Sequence, residues 1–137
     1  MPPRVVADTN FWVAAAGWSG MAHRLYLALV AGKFVHLTSF AILNEISRVL
    51  RRLPDFTEQM VYEWYCEIGT HSELVLSQPV TEKRIRLCRD PDDDKLLECA
   101  VWGRATYLIT RDQDLLTLNG YRGIRIIQPQ QLWAVIE

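Results

Sequence analysis

The chain has 137 residues and a mass of 15.8 kDa, and 50% of the residues are hydrophobic, enough for one substantial core and too few for two independent ones. A net charge of −1 and a pI near 6.3 exclude a global basic field, so any nucleic-acid binding must come from a local patch. The three cysteines, Cys66, Cys88 and Cys99, show no CxxC spacing, which argues against a disulfide framework or a zinc site and leaves reduced thiols.

The N-terminus "MPPRVVADTN" has one early arginine and a short apolar run, so it does not read as a signal peptide, and no segment approaches membrane-spanning length. One soluble, cytoplasmic domain over residues 1–137 is expected. "RVVAD" is a β-branched strand that ends on an acid, and "TNFWVAAAG" after it suits a helix closed by Gly17. "MAHRLYLALVAGK" continues helically to Gly32, and "FVHLTS" reads as a second, alternating strand. In "SFAILNEISRVLRRL", Ser39 is the N-cap, Ile42, Ile46, Val49, Leu50 and Leu53 share one side, and Pro54 stops the helix. Thr57 caps the next helix, whose Met60, Val61, Trp64, Tyr65 and Ile68 form an i, i+3, i+4 stripe for packing.

"SELVLSQ" is a third short strand and "TEKRIRLC" a helical turn or two. "RDPDDDKLLECAVWG" opens a long helix that ends near Gly103, and "ATYLITRD" is the fourth strand. A short helix "QDLLTL", the turn "NGYRG", a fifth strand "IRIIQP" and a last helix "PQQLWAVI" complete the chain. Strands alternating with helices at these intervals predict an α/β fold with a mostly parallel sheet of four to five strands, covered on both faces. In such sheets, functional groups collect beyond the carboxyl ends of the strands.

Acids gather at those ends. Asp8 ends the first strand; Asp112 ends the fourth, with Asp114 two residues on. The start of the long helix places Asp94, or else Asp92 or Asp93, at a helix N-terminus, and Glu45 lies about two turns into the helix after the second strand. Taken alone, each acid has an ordinary structural role: Asp8 in an Asx turn, Asp92 or Asp93 as a cap, Asp112 or Asp114 as the cap of "DLLTL", and Glu45 as a solvated helix residue. Converging carboxylates would raise one another's pKa unless a cation neutralised them, and hard oxygen donors suit Mg²⁺ or Mn²⁺. Such a site points to phosphodiester chemistry.

Over nearly its whole length the chain resembles PIN-domain proteins of the kind that act as toxins of toxin–antitoxin systems, akin to the VapC ribonucleases. The resemblance rests on "VVADTNFWVAA", "LTSFAILNEISRVL", "RDPDDDKLLECAVWGRATYLITRDQDLL" and "YRGIRIIQPQQLW". It implies a three-layer α/β/α domain and a metal-dependent endoribonuclease. By the same resemblance the catalytic, metal-holding quartet falls on Asp8, Glu45, Asp94 and Asp112, with Asp114 as an additional metal ligand and Asn10 and Thr110 as polar supports. Asp94 is placed third because its distance of 18 residues from Asp112 fits the family spacing.

RNA is the implied substrate, an antitoxin protein and a second copy of the chain are the implied partners, and Mg²⁺ or Mn²⁺ is the implied cofactor. Positive charge for RNA is available in Lys83, Arg84, Arg86 and Arg89, and in Arg48, Arg51, Arg52, Arg104 and Arg111, although most such residues serve to solvate helix faces. The five tryptophans, including Trp64 and Trp133, exceed what a small core commonly needs; core packing is the first expectation, with a homodimer face or an antitoxin-binding groove as the alternative for some, and His23, His36 and His71 are assigned no catalytic role. The competing expectation is a catalytically silent binding module that acts through homodimer or antitoxin association.

Overall fold

The computed structural model describes residues 1–18, 20–76 and 91–137, without the side chains of 91–93. The expected helical turn at 81–88, Cys88, Asp90, the carboxylates of Asp92 and Asp93, and the basic run Lys83, Arg84, Arg86 and Arg89 lie outside the described residues.

Among the described residues, five short strands form one parallel sheet: β1 (Arg4–Ala7), β2 (Val35–Thr38), β3 (Ser72–Leu74), β4 (Tyr107–Ile109) and β5 (Arg125–Ile127), in the order β3-β2-β1-β4-β5. Parallel pairs need crossovers, and among the described residues six helices supply them, α1 (Thr9–Ala16), α2 (Gly20–Val30), α3 (Phe40–Arg51), α4 (Glu58–Thr70), α5 (Pro91–Trp102) and α6 (Gln113–Leu118), while α7 (Pro129–Ile136) follows the last strand. The result is a three-layer α/β/α fold. Val5, Val6 and Ala7 are all buried although successive strand residues point to opposite faces, so both faces of β1 are covered. The same rule corrects the expected alternation of β2. His36, Leu37 and Thr38 are all buried there, because β2 is an interior strand.

Local chemistry sets the helix limits. Ser39 and Thr57 accept hydrogen bonds from the backbone N–H groups of Ile42 and Met60, each satisfying a donor that the helix itself leaves unpaired. One hydrophobic core runs through the sheet and its helices, with Leu25, Leu37, Ile42, Ile46, Leu97, Leu108 and Leu132 fully enclosed. At the end of α5, a Cβ on Gly103 would stand 2.9 Å from the Cys99 carbonyl, Leu37 and Val75. Glycine is therefore what lets α5 close onto the sheet there. The tryptophans divide: Trp12 is in the core and Trp64 and Trp133 are partly buried, whereas Trp18 and Trp102 are exposed. Among the described residues, no helix is long and apolar enough to cross a membrane.

Candidate metal and active site

The chain adds β2 and β3 on one side of β1 and then crosses to place β4 on its other side. The reversal lies between β1 and β4, and a crevice opens beyond the carboxyl ends of two adjacent strands at such a switch point. Ala7 pairs with Ile109 across it, and the residues that follow, Asp8 and Thr110, are the first to leave the sheet.

Asp8 has two structural bonds. One carboxylate oxygen, Oδ1, accepts from the Phe11 N–H at 2.9 Å and so caps α1; the other, Oδ2, accepts from the Thr110 hydroxyl at 2.7 Å. Thr110 is itself fixed by its backbone N–H, which donates to the Ile127 carbonyl at the end of β5. Its Oγ1 also accepts from the Asp112 N–H at 3.0 Å, and Asp112 Oδ1 accepts from the Asp114 N–H at 2.8 Å as the cap of α6. A chain of hydrogen bonds thus links Asp8, Thr110, Asp112 and Asp114 across the ends of β1 and β4.

Burial pushes the Asp8 carboxyl above its ordinary value of 3.8, opposed by the bonds from Thr110 and the Phe11 N–H. The negative charge of Asp112 raises it further, and the guanidinium of Arg111 lowers it. The sequence grouped Arg111 only with possible phosphate contacts. Its position beside Asp112, at the mouth of the same strand, was the available sign of an effect on Asp8.

Asp94 enters from another direction. It is the fourth residue of α5, which packs on β1, β2 and β4, and it is 5% exposed. Both of its carboxylate oxygens are buried with no hydrogen-bond partner among the described residues. A buried charge in that condition is costly unless a proton or a cation joins it. Glu45 is half-buried in the second turn of α3, Asp114 is exposed, and Asn10 is exposed in the first turn of α1.

Among the described residues, no three His, Cys, Asp or Glu side chains are drawn together into a ready-made metal cage. The donor chemistry nevertheless fits a hard divalent cation. The orphaned oxygens of Asp94, the destabilised carboxylate of Asp8 and its charged neighbour Asp112 are oxygen donors with excess negative charge and no thiolate or imidazole among them.

No curated protein matches the sequence. The family model of the PIN domain matches residues 4–114, which include β1 to β4 and every acid of the rim. The fold is of the type found generally in nucleases, and the chain belongs to the PIN-domain family.

Proposed function

We propose that the protein is a metal-dependent endoribonuclease that hydrolyses RNA phosphodiester bonds and serves as the toxin of a toxin–antitoxin pair, with its antitoxin and a second copy of itself as protein partners. Membership of the family supports nuclease chemistry. The observation that carries the metal is the pair of buried, unpartnered oxygens on Asp94, on a helix that packs against the two strands bearing Asp8 and Asp112 at their ends. Asp8, Glu45, Asp94 and Asp112, with Asp114 beside them, would hold Mg²⁺ or Mn²⁺. When bound, the ion supplies a lowered pKa for coordinated water and charge stabilisation for phosphate oxygens.

The protein's own residues divide the remaining work. Thr110 ties Asp8 to the end of the neighbouring strand and, through its bond from the Asp112 N–H, holds the turn that carries Asp112 against the same hydroxyl. The bonds from Phe11 and Thr110 lower the Asp8 pKa against the larger upward push of its burial. The carboxylates bind and orient rather than attack.

Purified protein should cleave single-stranded RNA with Mn²⁺ or Mg²⁺, stop on addition of a chelator, and stop again as Asp8→Asn. Undiminished cleavage by Asp8→Asn would remove the site assignment. The loose arrangement of the described acids favours a second reading, a catalytically silent module that acts by binding its partners. Following thermal unfolding during a Mn²⁺ titration separates the two, because an ion that binds only the folded state must raise the midpoint.

A further inference from the structure

Helices α3 and α4 pack side by side and leave a groove of about 420 Å³ between them. Its floor is Ser47 and Val61, both buried, and its walls carry Asn44, Arg48 and Arg51 from α3 and Tyr62 and Tyr65 from α4. Asn44, Arg48 and Arg51 follow an i, i+4, i+7 spacing, so they line one face of the helix. Glu45, a candidate metal ligand, is next to Asn44 in sequence and one turn from Arg48, so the upper end of the groove adjoins the acidic rim.

Charge and ring chemistry identify the occupant. Arg48 is exposed, and Arg51 lies 3.2 Å from Glu58 in a solvated pair, so the lining has two guanidinium groups against one carboxylate. Tyr62 is 64% exposed, an aromatic surface that the core does not use. A partner helix would call for an apolar stripe, whereas cations beside one exposed and one half-buried aromatic ring and an amide suit a single strand of nucleic acid.

We propose that the groove between α3 and α4 binds a nucleotide of the RNA strand as it leaves the acidic rim. Arg48 neutralises a phosphate, Tyr62 and Tyr65 form the stacking surface for a base, and Asn44 meets the base edge. This assignment rests on the ribonuclease reading and adds to it a direction for the substrate strand. It also explains how a chain of net charge −1 can hold RNA without a global basic field.

The test uses the full chain as Asp8→Asn, which holds RNA without cutting it, and a fluorescein-labelled single-stranded RNA of roughly 12 nucleotides with Mn²⁺. Fluorescence anisotropy across a salt series should show Arg48→Gln weakening binding about fivefold or more and lowering the salt slope by about one phosphate. Tyr62→Ala should weaken binding at least about fivefold, while Tyr62→Phe, which keeps the ring, should bind like its parent. Both positions are exposed, so unchanged melting temperatures show that these losses are not unfolding. If both variants bind RNA as their parent does while the wild-type chain cleaves it, the groove assignment falls and the ribonuclease reading stands. If the Asp8→Asn chain does not bind RNA and the wild-type chain does not cleave it, both fall. Full RNA binding combined with loss of self-association in Arg48→Gln and Tyr62→Ala would make the groove a contact between copies and overturn its assignment to RNA.

Discussion

The hydroxyl of Thr110 donates a 2.7 Å hydrogen bond to Asp8 Oδ2 and accepts one of 3.0 Å from the Asp112 N–H, so one buried side chain ties together the acids that follow two neighbouring strands. Thr110→Val keeps the shape and removes both bonds. The buried Asp8 oxygen then loses its partner, at a cost of about 1–3 kcal/mol. The loss should appear as a lower midpoint in denaturant titration at neutral pH, together with slower cleavage, and Thr110→Ser should restore most of both. A valine variant as stable and active as its parent would show that the bond does not position Asp8.

Asp94 supports a prediction of opposite sign. In the metal-free protein its buried carboxylate has no hydrogen-bond partner among the described residues, so Asp94→Asn removes a charge that the fold accommodates poorly. The melting temperature without metal should rise by a few degrees, on the order of 1 kcal/mol for a chain of this size. Added Mn²⁺ should then raise the midpoint of the parent and leave the variant nearly unchanged. A lower midpoint for metal-free Asp94→Asn would mean that the carboxylate is already satisfied.

What could be read from the sequence followed the range of the interactions involved. Ser39 and Thr57 were recognisable as caps because their partners, the N–H groups of Ile42 and Met60, lie three residues away, and the β-branched "RVVAD" carries its strand preference in itself. Thr110 and Asp8 are 102 residues apart, and no local rule pairs them; only the order of the strands does. Placing Asp8 at a strand end followed from the pattern, but its double use as helix cap and acceptor for Thr110 did not. The burial of His36 was not legible for a related reason. A histidine in an alternating strand reads as facing water, and its burial depends on the neighbouring strands and on Trp12, which the alternation cannot report. Which tryptophans lie outside the core, Trp18 and Trp102, could not be read from residue type, which says nothing about where a helix ends relative to the surface.

Asp8 also gives the metal-free protein a pH dependence. Burial raises its pKa in the folded state, so as pH rises past the ordinary value of 3.8 the unfolded chain gives up this proton first. Over that interval the unfolded state binds fewer protons, stability falls with rising pH, and the penalty remains in full above the raised pKa. Asp8→Asn retains an acceptor suited to capping α1 and avoids the charge. Without metal its stability relative to the parent should therefore improve as pH rises from about 4 to 7, on top of a pH-independent loss from the Thr110 bond, which the amide nitrogen cannot accept. Chemical denaturation across that range measures it, and a difference that does not vary with pH would contradict the assigned cause.

His36 should act in the opposite direction and at higher pH. Its Nε2 accepts from the Trp12 indole N–H at 3.3 Å, which leaves the proton on Nδ1 to be donated to Ser72 Oγ at 2.7 Å, and Ser72 passes its own proton to the Ile68 carbonyl. The neutral ring is thus used on both sides, and burial lowers its pKa from 6.5 to about 3. As pH falls below 6.5 the unfolded chain takes up a proton that the folded chain refuses, so this contribution to stability is present above 6.5 and is lost progressively toward 3. One proton corresponds to about a tenfold change in the unfolding equilibrium per pH unit. His36→Gln, with an acceptor and a donor but no titration, should be less stable than the parent at pH 7 because its shape is poorer, yet its stability should decline less steeply between pH 6 and 4, by about one proton. Equal slopes in the two proteins would show that His36 is protonated in the fold, and with it that the indole of Trp12 has a different acceptor.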